Sequence, residues 1–492
     1  MNASVRRIER LAILLLVTLI VATGYWQLWE RPTLAARQDN AIQRVAEFRV
    51  KRGPIVASGV RLARSDAEQR GEETLWFRRY PVGRLAAHVV GYSTAARSRT
   101  GLERSLNDAL TASDRGLGSL VERSLRNLHD DPIVGDSVLT TLSVRAQRVA
   151  VDALGDTCGA VVALDPRSGK VRVLASSPSF DPNLVENDFE RIASTTADCA
   201  PASPLLNRAT AGLYPPGSTF KVVTAAAALD SGRFTPASGF VDPGYCLAYG
   251  KRVNNYDTAR PFGSLDLATA LQYSVNSVFC TIGQRLGAKR VLAQARKLGF
   301  YETAPLETPV EERRASGLYR DGRPWFPERN SDVDAGRMAF GQERLLVTPL
   351  QMAMVASAVG NAGVLMRPAV VEKVVSASGS ARRTFERERV GRAMKPTTAR
   401  DLAEMMVRAV EGGTGTAARI SGYRVGGKTG TAETGVAGSN VTWFIAFAGR
   451  EGERPSVAIA VVLQNQSSTG GATAAPIARS VMEALLPSES NR

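Results

Sequence analysis

Histidine is almost missing from this 492-residue chain: His88 and His129 are the only two. Both precede Ser218, the serine on which the reading below turns, so a Ser-His-Asp relay would have to recruit one of them from upstream. No CxxC pair and no H-E-x-x-H stretch occurs, and the four cysteines have no histidine close by in sequence, so neither a metal centre nor a cofactor is expected. Lysine is scarce too. Only nine of the 62 basic residues are lysine, so a lysine in a motif stands out against an arginine background. The net charge of +15 suggests an anionic partner, but the basic residues are scattered and no basic-aromatic module or zinc-finger spacing occurs. Nucleic acid is therefore not an expected partner, and an anionic membrane or wall surface fits better. No internal repeat or low-complexity tract is present.

What is present begins with a hydrophobic run. Residues 11–29 carry no charge, and Tyr25, Trp26 and Trp29 cluster at the far end. That is a membrane-spanning length with an aromatic interface belt. Arg6, Arg7 and Arg10 orient the N-terminus to the cytoplasm and leave the rest outside as a single-pass plasma-membrane protein. A cleaved signal peptide is the other reading, against which stand the length of the run and the lack of a small-x-small cleavage site directly after it. Cys158, Cys199, Cys246 and Cys280 then fall where disulfides persist. Four cysteines allow three connectivities, of which proximity favours Cys158–Cys199 and Cys246–Cys280; free buried thiols are the alternative.

The arginine-rich region 31–155 reads as short strands and turns with a helix start at "GLERSLNDAL". From Cys158 the character changes. "GAVVALDPRSGKVRVLASSPS" reads as two strands about a Ser168-Gly169 turn. A long helical region follows, containing residues 218–232 and 264–287, then an irregular polar insertion over 301–336 and a helix over 347–363. Residues 376–396 form an exposed charged excursion. Three consecutive antiparallel strands, "GYRVGGKTGTAE", "VTWFIAFAG" and "PSVAIAVVLQNQ", precede a closing helix over 474–486. Two strands, helices, three strands and a helix describe a sheet covered by helices, an α/β (α+β) fold.

Chemistry concentrates in three short stretches. In "YPPGSTFKVV", Ser218 sits three residues before Lys221, after the breakers Pro215, Pro216 and Gly217 and at the start of an alanine-rich helical run. Residues three apart share a helix face, and a buried lysine, unlike arginine, can lose its proton and act as a base. Taken alone, the stretch also fits an N-capping serine followed by a solvent-facing lysine. "YSVNS" supplies Ser274 and Asn276, and in isolation would be a helix-junction turn. "GGKTGTA" supplies Lys428, Thr429, Gly430 and Thr431; a phosphate loop is the rival reading, but Lys428 leads into a strand rather than a helix. Ordered as S-x-x-K, S-x-N and K-T-G, the three are highly specific together.

These motifs resemble those of the penicillin-binding proteins and serine β-lactamases. "NRATAGLYPPGSTFK", "VTPLQMA", "GGTGTAARISGYRVGGKTGTAE" and "WFIAFAG" are similar to class B penicillin-binding proteins, and "RTGLERSLNDAL" to their non-catalytic pedestal; the opening "MNASVRRI" and the short pedestal resemble the actinobacterial penicillin-binding protein A type. The resemblance implies a cytoplasmic tail at 1–10, a transmembrane helix at 11–29, a pedestal or dimerisation domain at 31–155 and a transpeptidase domain at 156–488. It implies a monofunctional D,D-transpeptidase crosslinking peptidoglycan stem peptides in growth and division, with no glycosyltransferase domain. Ser218 would be the nucleophile and Lys221 its base. Ser274 would relay a proton to the leaving D-alanine, and Asn276 would hold the acyl side-chain amide. Lys428 and Thr429 would bind the terminal carboxylate. The backbone N–H groups of Ser218 and Thr431 would form the oxyanion hole, and Gly430 would let the substrate lie along the strand. β-Lactams would be trapped at the same serine, and a polytopic membrane glycan polymerase of the RodA/FtsW kind would be the working partner. A carboxypeptidase or β-lactamase-like hydrolase is the nearest rival; a β-lactam sensor and an inactive scaffold are others. Two departures stand out. "RGPIVASG" lacks the family's Asp-Arg pair, and "GQE" at 341–343 replaces its G-Q-G.

Overall fold

The computed structural model describes residues 3–26, 47–113, 133–255, 261–434 and 438–487. Helix Ala3–Tyr25 contains a segment, Arg7–Tyr25, long and apolar enough to cross a membrane, with none of its surface buried against the rest of the protein. This helix starts before the expected 11–29 span, and residues 27–29, Trp29 among them, lie outside the described residues.

The site is built on a five-stranded antiparallel sheet in the order Tyr423–Glu433, Asn440–Arg450, Val457–Gln466, Gly159–Leu164, Val171–Ser177. Its middle strands are continuously apolar over 443–448, 457–463 and 159–164 because both faces are covered there. Trp443, Ile445 and Phe447 turn to one core, shared with the largely apolar, buried helix Pro349–Gly360 and with helix Lys221–Asp230. Phe444, Ala446 and Ala448 turn to the other core, under helices Val144–Leu154 and Ala474–Leu485. The expected two-strand, helical, three-strand and closing-helix order is thus the one observed.

A second, six-stranded sheet departs from the sequence reading. Its order is Ala381–Thr384, Val371–Val375, Ser137–Thr140, Ile55–Ala57, Val60–Arg70, Glu73–Arg79. Most of it comes from the N-terminal region, but two strands come from beyond residue 370. The excursion after 376 is exposed as expected, yet residues 381–384 and 389–392 of it are strands. Val371 and Val374 are buried against Ser137–Thr140, which anchors the arginine-rich edge strand beside them. In the same region Arg52, which opens "RGPIVASG", is buried with Glu103. Its Nη2 lies 2.9 Å from the carboxylate, and Arg78 Nε lies 2.5 Å away on the other oxygen. Burial alone would raise the Glu103 pKa; the two guanidiniums outweigh it and hold the carboxyl below its ordinary value.

Cys158 and Cys199 form a disulfide, as expected. The second expected pairing is not made: Cys246 and Cys280 are free, buried thiols. Cys246 lies on strand Tyr245–Ala248 and Cys280 on helix Asn276–Leu286, where its Sγ faces the Leu247 carbonyl at 4.0 Å. Proximity in sequence brought the two elements together without cross-linking them.

Candidate active site

Ser218 lies in the tight turn Gly217–Phe220, which leads directly into helix Lys221–Asp230. Backbone and side-chain bonds fix the turn. Tyr214 exchanges hydrogen bonds with Val347, Trp443 Nε1 donates to the Pro215 carbonyl at 3.0 Å, and Gly217 N donates to the Gly341 carbonyl at 3.0 Å. Gly217 has φ +50°, and a Cβ there would lie 2.9 Å from the Thr431 carbonyl. The nucleophile turn therefore presses on the K-T-G strand at a point where only glycine fits without strain. This contact brings the Ser218 and Thr431 backbones together.

Lys221 is fully buried. The sequence places it on one face with Ser218, but its recorded bonds go to the second motif. Nζ lies 2.6 Å from the Ser274 carbonyl, 2.7 Å from Asn276 Oδ1 and 3.2 Å from Ser274 Oγ. A neutral amine has two N–H donors and one lone pair. The two carbonyl-type acceptors take both donors and leave the lone pair for a hydroxyl. Burial, and secondarily the nearby Lys428 charge, push the Lys221 pKa well below the ordinary lysine value, which makes the neutral form more accessible than in an exposed lysine. Ser274 sits at φ +62°, a conformation costing about 1–3 kcal/mol in a non-glycine residue and one that recurs at functional sites.

Behind this motif stands an acid that the sequence did not flag. Asp242 Oδ1 accepts from Ser277 Oγ at 2.5 Å, and the carboxylate also accepts from Asn255 Nδ2 and from the backbone N–H groups of Gly244 and Phe262. Burial opposes ionisation, but these bonds win and lower its pKa. Asp242 thereby fixes the start of the helix that carries Asn276, whose Nδ2 donates to the Asn254 carbonyl at 2.9 Å.

The third motif lies on strand Tyr423–Glu433, paired through Lys428 with Ile445 and through Thr431 with Thr442. Lys428 and Thr429 are buried. Lys428 Nζ donates to the Thr429 carbonyl at 3.0 Å, and burial lowers its pKa to about 7. Lys428 is thus half-neutral near pH 7, and an arriving carboxylate would restore its charge. The unfolded chain holds this proton up to about 10.5 and the folded chain only to about 7, so the folded state loses stability as pH falls through that window. Lys428→Met is therefore expected to raise the melting temperature, most below pH 7 and hardly at all near pH 10. A variant less stable than wild type at pH 6 would contradict this.

The structure brings Lys221 to Ser274 and Asn276, and the turn that carries Ser218 to the strand of Lys428, Thr429, Gly430 and Thr431. Two residues were missed besides Asp242. Phe279 places its ring 5.5 Å from Lys221 Nζ, and Thr414 Oγ1 lies 2.7 Å from Thr429 Oγ1. Nothing in a Gly-Thr-Gly loop signals that contact.

Known proteins resemble this chain over nearly its whole length. Residues 159–483 match the penicillin binding protein transpeptidase domain, and residues 52–138 match the penicillin binding protein A dimerisation domain. The chain is 35% identical to the peptidoglycan D,D-transpeptidase PbpA of Mycobacterium tuberculosis, over 99% of this chain and all of that protein. It is 28% identical to the peptidoglycan D,D-transpeptidase MrdA of Acinetobacter baumannii, over 84% of this chain and 66% of that one. Among solved structures, penicillin-binding protein A from M. tuberculosis as its ceftriaxone acyl-enzyme superposes with a TM-score of 0.80 at 33% identity, covering 90% of this chain and all of that one. The D,D-transpeptidase domain of a peptidoglycan glycosyltransferase from Eggerthella lenta gives 0.75 at 31% identity, covering 89% of this chain and 98% of that one.

Proposed function

The chain belongs to the penicillin-binding protein transpeptidases and is a peptidoglycan D,D-transpeptidase that β-lactams acylate, and from this premise we propose how its residues divide the work. Ser218 attacks the penultimate carbonyl of a D-Ala-D-Ala stem. Lys221, neutral, takes the hydroxyl proton. The Ser218 and Thr431 N–H groups hold the oxyanion. Ser274 passes the proton to the leaving D-alanine, Asn276 holds the acyl side-chain amide, and Lys428 with Thr429 binds the terminal carboxylate. The amine of a neighbouring stem then attacks the ester and forms the crosslink. The observation that carries this division is the buried Lys221 bonded to both members of the S-x-N motif. The boundaries proposed are a tail over 1–10, an anchor over 11–29 set in the plasma membrane with the N-terminus inside, a pedestal over 31–155 and an extracytoplasmic transpeptidase domain over 156–488. A polytopic glycan polymerase of the RodA/FtsW kind is the proposed partner, contacted through the anchor and pedestal; the apolar helix Arg7–Tyr25 supports the anchoring.

Reconstitution tests both the reaction and the partner. The full-length chain in lipid vesicles, with such a polymerase and a lipid-linked disaccharide pentapeptide, is expected to give crosslinked muropeptide dimers on digestion. It is also expected to co-elute with the polymerase in mild detergent. Free D-alanine with only uncrosslinked tetrapeptides would replace this reading with a carboxypeptidase, and separate elution would remove the partner.

A further inference from the structure

We propose that Thr414 is a positioning residue for the substrate carboxylate, its hydroxyl donating to Thr429 so that the Thr429 proton is free to bond that carboxylate. The inference rests on the carboxylate-binding role proposed above for Thr429. Thr414 follows helix Pro396–Gly412 and touches both the stretch before Ser274 and the strand that carries Thr429. Its N–H donates to the carbonyl of Gln272 at 3.4 Å, two residues before Ser274, and its Oγ1 lies 2.7 Å from Thr429 Oγ1. The loop has little room to shift. A Cβ on Gly413 would lie 2.4 Å from the Gln272 carbonyl, and Gly415 N closes back on the Ala409 carbonyl at 2.9 Å. The Thr414 hydroxyl is therefore delivered to Thr429 by a backbone held on both flanks.

The direction of the bond is the substance of the proposal. A hydroxyl has one proton to give, and two hydroxyls in contact place a single proton between them. If Thr429 gave its proton to Thr414, it would meet an incoming carboxylate with lone pairs only. A carboxylate accepts and cannot donate, so its arrival selects the arrangement in which Thr414 donates to Thr429 and Thr429 donates to the carboxylate. Each bond in such a chain polarises the next. Thr414 thus acts through Thr429 and touches no reacting atom.

The test is acylation by benzylpenicillin in stopped flow, separating the dissociation constant of the first complex from the acylation rate. Thr414→Val is expected to weaken the first complex about tenfold, the order of one charge-assisted hydrogen bond, with the acylation rate held within about twofold. Thr414→Ser is expected to bind as wild type does, and Thr414→Ala to follow Thr414→Val should the valine disturb folding. With the methyl ester of benzylpenicillin, which offers no carboxylate, wild type and Thr414→Val are expected to bind alike. Unchanged or tighter binding of benzylpenicillin by Thr414→Val would show Thr429 to be the donor and overturn the proposal. So would a loss confined to the acylation rate, or one that serine does not restore. If Thr429→Val itself binds benzylpenicillin normally, the carboxylate role of Thr429 is what fails.

Discussion

Incubated with a β-lactam, the Ser218→Ala variant is expected to keep its intact mass, while the wild-type protein gains the mass of one ligand. Two motif serines, Ser218 and Ser274, are candidates for the nucleophile. Ser274 Oγ, not Ser218 Oγ, is the hydroxyl recorded within 3.2 Å of Lys221 Nζ. Ser274, however, spends its carbonyl on Lys221 and sits in a left-handed turn that the Asp242 cluster braces from behind. Ser218 stands in the turn pressed against the K-T-G strand, where its own N–H and that of Thr431 can converge on an oxyanion. On the proposed assignment, attack by Ser218 would have the charge of its tetrahedral intermediate met by those two N–H groups. Loss of the nucleophile is expected to cost at least about 10⁴-fold in acylation, the scale seen when a member of a catalytic unit is deleted. Ser274→Ala is expected to slow adduct formation without preventing it. An adduct on Ser218→Ala, or its disappearance only in Ser274→Ala, would reassign the nucleophile. Slow decay of the wild-type adduct is the companion result expected of a transpeptidase, whereas rapid turnover would favour a β-lactamase.

The sequence made the central sheet legible for a specific physical reason. "VTWFIAFAG" is apolar at consecutive positions from Trp443 to Ala448, and a strand covered on both faces needs that pattern. The three motifs were legible because their residue types are chemically constrained. The pedestal sheet was not legible in the same way. Its edge strand Ala381–Thr384 is fully exposed and arginine-rich, so nothing in its composition distinguishes a strand from a charged loop. Its place is set by Val371 and Val374 packing on a distant strand, and periodicity reports which face is buried but not against what. The same limit applied to Lys221. Spacing put it beside Ser218, yet its hydrogen-bond partners come from Ser274 and Asn276, and only the folded chain brings them near. Asp242 and Thr414 act through contacts rather than intrinsic reactivity, and although "GGTGTAARISGYRVGGKTGTAE" contains Thr414, nothing in it marks that residue as a partner of Thr429. "GQE" is a departure with a visible structural setting: Glu343 adopts φ +72° and accepts from the Tyr249 hydroxyl at 2.9 Å, so the side chain tolerates a backbone that usually asks for glycine.

Lys221→Met is expected to lower acylation by about 10³-fold while leaving the protein folded, within the range attributed to a positioned general base. The fold should tolerate it because methionine fills the same buried volume and removes an amine whose burial is unfavourable. Lys221→Arg is expected to be as inactive, since a guanidinium keeps its proton and has no lone pair to offer Ser218. The pH profile separates a base from a mere structural cation. Lys221 must be neutral and Lys428 charged, and burial acts against the charge of both. The second-order acylation constant should therefore rise with pH as Lys221 loses its proton. It should fall again as Lys428 loses its own, which in the free site happens at about 7. At saturating β-lactam the falling limb should move to higher pH, because the bound carboxylate holds the Lys428 proton in place. The rising limb should vanish in Lys221→Met, and the falling limb in Lys428→Met. A fully active Lys221→Arg, or a rising limb that survives in Lys221→Met, would mean that another group takes the proton from Ser218.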